Sequence, residues 1–165
     1  MTARRTYLEM KEPDALRPAR VPDRGVAVAR GNDCHPSVWR HLYTGVGGAY
    51  RWVDRLPWTD DDIRAYLGDP AVSFWTLTVE GQLAGYFELR RDTDGDVEIA
   101  YFGLLPEFTG RGLGGHLLTE AAERAWAAGA RRVWLHTSSL DHPAALSNYL
   151  KRGFAVFKTE EYVVS

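Results

Sequence analysis

Residues 97–118 read VEIAYFGLLPEFTGRGLGGHLL: an alternating apolar run, a proline, a loop with glycines at 110, 112, 114 and 115, and then the apolar start of a second periodic segment. Period-two alternation is the pattern of a strand and three-to-four spacing that of a helix. The segment therefore predicts a strand that turns at Pro106 and enters a helix through a glycine-rich loop. Such a loop leaves backbone N–H groups bare at the positive end of a helix dipole, which suits a phosphate-bearing ligand. Gly110, Gly112 and Gly115 also spell G-x-G-x-x-G, the spacing of dinucleotide-binding folds. In those folds the loop directly follows the first strand of a parallel unit, and an acidic residue lies about twenty positions on. Here residues 105–109 intervene, other strands precede, and Leu135, His136 and Thr137 stand where the acid is needed. No Lys-Ser or Lys-Thr follows the glycines, so a P-loop fails as well.

Upstream, residues 7–10 and 26–29 are expected as short strands. Residues 36–50 carry Val38, Trp39, Leu42, Tyr43, Val46, Ala49 and Tyr50 at helical spacing. Thr59 before Asp60, Asp61 and Asp62 is a cap with first-turn carboxylates matched to the dipole, and that helix should stop near Gly68 and Pro70. SFWTLTV, LAGYFEL and VEIAYFGL, divided by turns at residues 80–82 and 92–96, predict three antiparallel strands. Beyond the loop come a helix over residues 114–128, a buried strand at RVWLHT, a helix from Pro143 to Arg152 and final strand material over residues 154–164. The order predicts an α+β fold, a mostly antiparallel twisted sheet of about six or seven strands flanked by helices. A chain of 165 residues is the size of one domain.

Twenty Lys and Arg against 22 Asp and Glu give a net charge of −2 with no long basic run, so neither nucleic acid nor a membrane is an expected partner. Arg4, Arg5, Arg17, Arg20 and Arg24 make the first stretch locally basic, and a solvated surface is the expectation for them. Cys34 is the one cysteine, which excludes an intramolecular disulfide and a cysteine-rich metal site. His116, His136 and His142 have no metal-ligand spacing with one another; no metal is expected, and a structural or cofactor-lining place suits them better. MTARRTYLEM has charges but no apolar stretch behind them, and no run approaches membrane-spanning length, so a cytoplasmic protein is expected. A homodimer stays open.

Strand, proline corner, glycine loop, helix, strand, helix: with that order LLPEFTGRGLGGHLL is similar to the signature of the GNAT superfamily of N-acetyltransferases, and ALSNYLKRGF (residues 145–154) resembles the family's later helix and strand start. The resemblance spans roughly residues 75–157. It implies acetyl-CoA as co-substrate, with Phe102, Gly103, Leu104, Thr109, Gly110, Arg111, Gly112, Leu113, Gly114, Gly115, His142 and Asn148 along it. Two positions depart from the pattern. Thr109 stands where the family usually has Gln or Arg, and His142 where many members have an Asn that contacts the cofactor arm.

Making an amide from a thioester requires a neutral amine, a polarised carbonyl and a proton for the departing thiolate. An alkylammonium titrates near about pH 10, so a base must take its proton. Glu98 falls where several members carry a base glutamate, and simple alternation puts it on the strand face of Ala100 and Phe102, away from Val97, Ile99 and Tyr101. A solvent-facing strand carboxylate is the plainer reading, and Glu88 on the preceding strand is the reserve. Tyr149 matches the family's tyrosine that faces the coenzyme sulfur and protonates the thiolate. For the carbonyl, the resemblance implies a backbone N–H near residues 102–104, where the strand splays from its neighbour. Trp39, Tyr43, Tyr50, Trp52 and Trp58 crowd the segment beside the family's acceptor end. Trp52 and Trp58 lie past the helical periodicity, so they are candidates to wall a pocket for a small-molecule or peptidic amine with an apolar body, with Asp54 and Asp60 to Asp62 favouring its cationic form. The alternatives are a non-catalytic acyl-CoA-binding module and an acyltransferase of different donor or acceptor.

Overall fold

The structure, a computed structural model, describes residues 1–22 and 25–164; Arg24 lies outside them. Among the described residues there are seven strands: Thr2–Met10 (β1), Val26–Arg30 (β2), Val72–Val79 (β3), Gln82–Arg91 (β4), Val97–Leu104 (β5), Val133–Ser138 (β6) and Ala155–Val163 (β7). Four helices accompany them: Pro36–Gly47 (α1), Asp60–Leu67 (α2), Leu113–Ala127 (α3) and Ala145–Lys151 (α4). The strands form one mixed sheet in the order β2-β3-β4-β5-β6-β1-β7, antiparallel everywhere except between β5 and β6. This is the expected α+β architecture, and no described helix is long and apolar enough to cross a membrane.

The position of β1 differs from expectation. It is nine residues long and lies between β6 and β7, with Tyr7 opposite His136 and Arg5 opposite both Ser138 and Glu160. Ala3, Thr6, Leu8 and Met10 are buried, while Arg4, Arg5, Tyr7 and Glu9 alternate outward. The charged alternates and a register shift between Tyr7 and Leu8 hide the strand from periodicity.

Local chemistry accounts for the helix ends. The Thr59 hydroxyl accepts from the Asp62 N–H at 3.1 Å, and the Asp62 carboxylate accepts from the Thr59 N–H at 2.9 Å, a capping box opening α2. α1 buries Trp39, Leu42, Tyr43 and Val46 on one stripe but stops at Gly47, earlier than the apolar pattern. Glycines at 45, 47 and 48 weaken the helix there, a 3-10 turn follows, and Arg51 at φ 60° turns the chain.

Phe87 and Glu88, adjacent on β4, point to opposite faces of the sheet. Glu88 meets Trp39 of α1 on one side, whereas Phe87 stacks on Trp75, which lies under Arg124 of α3 on the other. α1 and α2 thus cover one face and α3 the opposite one. Leu89 pairs with Ile99 and Glu88 with Tyr101, so Ala100 is an extra, bulged residue on β5. The bulge resets the alternation: Tyr101 joins Glu98 on the α1 face, and Phe102 joins Ile99 on the α3 face. Glu98 therefore does not share a face with Phe102, contrary to the simple strand pattern.

Candidate active site

β5 and β6 hold together only through the rungs Val97–Val133 and Glu98–Trp134. Past Glu98 the strands part, as the resemblance implies, and a cleft of about 1140 Å³ opens through the gap toward both faces of the sheet.

On the α3 side, the proline corner and glycine loop deliver an unblocked helix end. Gly110 and Gly112 have φ of 77° and 76°, a left-handed conformation costly for other residues, and Gly112 is the N-cap of α3, so no side chain caps the helix. Asn148 Nδ2 on α4 donates to the Gly114 carbonyl at 3.0 Å and ties the two helices together at the loop. Arg152 closes this corner. Its Nη1 lies 2.9 Å from where a Cβ on Gly115 would sit, its Nε is buried without a partner, and it belongs to no ion pair among the described residues. A guanidinium beside an uncapped helix N-terminus places two positive ends together, an arrangement that an anionic group relieves. The residues present therefore fit the phosphates of a coenzyme A moiety.

Phe102, Gly103, Leu104, Thr109, Gly110, Gly112, Gly114, Gly115, His142 and Asn148 all line the cleft. Thr109 spends its hydroxyl on the Pro106 carbonyl at 2.8 Å, and His142 Nδ1 accepts from the Ala144 N–H at 3.0 Å. Arg111 and Leu113 are not among its lining residues. Arg111 sits over the Phe108 ring instead of in the cleft, and the Leu113 side chain is buried in the core. Tyr149 lies in the cleft wall edge-on to Phe102, with its hydroxyl making no hydrogen bond to the described residues. Burial, helped by the Asp141 charge, raises its pKa, so the phenol keeps its proton across the ordinary pH range.

On the α1 side, Glu98 reaches the cleft, where Arg90 Nη2 donates to its Oε1 at 3.0 Å and His136 Nε2 stands 3.9 Å from its Oε2. Trp52 is there too, edge-on to Tyr101 and with Nε1 3.4 Å from Asp141 Oδ1. Trp58 is not. It stacks on Trp39 at 5.4 Å with their planes 3° apart and walls a box around Arg55. That guanidinium lies over the rings of Trp39, Trp58, Tyr66 and Tyr101 and donates to Glu88 Oε1 at 2.8 Å. Glu88 is fully buried, also accepting from Trp39 Nε1 and the Tyr66 hydroxyl, so it is no reserve base. The aromatic cluster does hold a cation, but the cation is the protein's own. Asp60 pairs with Arg40 and Asp62 caps α2; of the acidic residues named for the pocket, Asp54 alone lines the cleft.

Sequence reasoning missed Arg5, Arg90 and Tyr162 in the cleft wall, and gave His136, also there, only a structural or cofactor-lining place. Arg5, expected on a solvated surface, pairs with Glu160 at 3.1 Å and sits over Tyr162. Only His136 carried a readable signal: alternation in VWLHT sets it opposite the apolar positions Val133 and Leu135. Arg5 and Tyr162 depend on where β1 and β7 pair, and Arg90 on its register opposite Glu98.

A profile of the acetyltransferase (GNAT) family matches residues 38–154. The chain belongs to the GNAT family. An uncharacterized N-acetyltransferase of Mycobacterium tuberculosis is 34% identical over 97 residues, 59% of this chain and 62% of that protein. A Bacillus subtilis protein, provisionally named as the alanine N-acetyltransferase of ribosomal protein bS18, is 33% identical over 89 residues, 53% of this chain and 58% of that one. The chain thus spans about three-fifths of the length of these relatives. In fold it is similar to a GCN5-related N-acetyltransferase from Sphaerobacter thermophilus, with a TM-score of 0.72 at 19% identity over 96% of this chain and 50% of that one.

Proposed function

We propose that the protein moves an acetyl group from acetyl-CoA directly to a primary amine of a small-molecule or peptidic acceptor. The observation that carries this reading is the parting of β5 from β6, which opens one gap to both faces of the sheet. Tyr149 and the uncapped start of α3 border it from one side, Glu98 and Trp52 from the other.

The glycine loop, Asn148 and Arg152 would hold the coenzyme phosphates, and the bound thioester would supply an activated acetyl group. Residues 102–104 of β5, free of a β6 partner, offer backbone N–H groups for the carbonyl; preorganised donors of this kind give large catalytic terms. Tyr149 holds a proton at its hydroxyl for the departing thiolate. Trp52 and Tyr101 give the acceptor an apolar wall, and the alanine acceptor in the name of the Bacillus subtilis relative supports an amine with a small apolar body. Residues 1–165 act as one unit in this reading, because the cleft draws its wall from β1 as well as from β5 and β6.

Acetyl-CoA with a panel of amines, followed by thiol release, tests it. Release should depend on the amine, and Tyr149→Phe should lower kcat about a hundredfold to ten-thousandfold with calorimetric coenzyme affinity unchanged. Coenzyme binding without amine-dependent release from any acceptor would leave an acyl-CoA-binding module.

A further inference from the structure

The gap between β5 and β6 has a groin, and two titratable side chains meet in it. Glu98 ends the last paired rung on β5, and His136 is the second residue past that rung on β6, on the same face. We propose that His136 is the residue that takes the proton from the acceptor amine, with Glu98 as its positioning carboxylate. This rests on the acetyl-transfer reading and names the base it leaves open.

Three observations carry it. The first is access: the His136 side chain keeps 40% of its surface open, in the cleft wall, against 12% for Glu98. The second is engagement: Glu98 Oε1 already accepts from Arg90, and its Oε2 faces His136 Nε2 at 3.9 Å, whereas neither imidazole nitrogen hydrogen-bonds to the described residues. Glu98 is arranged to attract a positive charge on the imidazole more than to receive a proton from the cleft. The third is fixed orientation: Tyr7 on β1 pairs with His136, the two ring centroids are 5.4 Å apart, and Trp134 lies 6.4 Å from His136 and 6.5 Å from Tyr7, so the three rings pack as one group. The charged groups around the ring are Glu98 on β5, Arg90 on β4, Arg5 on β1 and Asp141 after β6. Burial outweighs the carboxylates and holds the imidazole below its ordinary pKa of 6.5, so it is neutral and able to accept a proton at neutral pH.

The chemistry balances around this residue. An N–H bond of the acceptor ammonium breaks and its proton goes to His136. The freed pair on nitrogen forms the C–N bond to the thioester carbonyl carbon while the C–S bond breaks. The thiolate takes the Tyr149 proton, the phenolate recovers a proton from the new amide nitrogen, and the imidazolium returns its proton to solvent. Net, ammonium and thioester give amide, thiol and one proton.

The test joins the pH dependence of kcat/KM with an NMR titration of His136. The wild-type profile should fall on the acid side with the midpoint that NMR gives for His136. His136→Gln should lower kcat by about a hundredfold or more and abolish that limb, leaving a rate that climbs with free amine. Glu98→Gln should move the limb and the His136 titration downward together, since its carboxylate raises that pKa; this arm needs no change at His136. A limb that survives in His136→Gln, or one that vanishes in Glu98→Gln while His136 still titrates, overturns the proposal and leaves acetyl transfer standing. A wild-type protein that transfers no acetyl group overturns both.

Discussion

Glu88 and Glu98 sit on neighbouring strands, each paired to an arginine, yet one is architecture and the other faces the cleft. The Glu88–Arg55 pair is sealed, with side chains 0% and 6% exposed, and four rings surround the guanidinium. The Glu98–Arg90 pair opens to the cleft, its arginine 44% exposed. The difference is one of cover. α1, α2 and residues 51–59 close over β4 and the adjoining part of β5, while past β5 the same face of the sheet lies open over β6 and β1. The buried pair has a consequence for the open one: Arg55 also donates its N–H to the Tyr43 hydroxyl at 3.1 Å, so the hub pins the loop that brings Trp52 and Asp54 to the cleft.

The contrast can be broken most forcefully at Glu88. Glu88→Gln leaves the Arg55 charge buried without its counter-charge, and unfolding in urea should show a loss of about 3–5 kcal/mol. Glu98→Gln, at a more exposed pair, should stay within about 1 kcal/mol of wild type. Equal losses would erase the distinction. The two tryptophans sharpen it next. Trp58→Ala opens the Arg55 box and should cost roughly 2–4 kcal/mol of stability with acceptor preference unchanged. Trp52→Ala should keep most of its stability and instead lower kcat/KM about tenfold for amines with apolar bodies, near 1.4 kcal/mol of transition-state binding. The smallest effect is a slope. Because the folded His136 pKa lies below its unfolded value of 6.5, its contribution to stability is whole above that pH and is lost as pH falls through the folded pKa. His136→Gln should flatten that part of the stability curve; an unaltered slope would mean the burial of the ring is slight.

Much of this was readable from residue order. The proline corner and the loop from Gly110 to Gly115 are set by short-range spacing, and Tyr149 came from the family resemblance of residues 145–154; the loop and Tyr149 line one cleft. Periodicity also found α1, the Thr59 cap and the β3 to β5 hairpins. Two features escaped because they are set at a distance. The bulge at Ala100 depends on how β5 pairs with β4, and it moves Phe102 and Tyr101 to faces that alternation alone assigns wrongly. Glu88 looked like a spare carboxylate because nothing in LAGYFEL reveals that Arg55, 33 residues earlier, comes to meet it.

The insertion of β1 between β6 and β7 also has a consequence for how the protein is made. Its partners are remote in the chain, Met10 facing Val133 and Thr2 facing Val163, while β3, β4 and β5 are joined by short turns. During synthesis the meander can pair as it leaves the ribosome, but β1 waits with Leu8 and Met10 uncovered until residues 133–163 have emerged, a long wait for a strand that other chains can capture. Arg5 arrives at the cleft, and Tyr7 beside His136, only with that late closure. The nascent protein thus holds its glycine loop well before the part of the cleft wall that β1 supplies is in place.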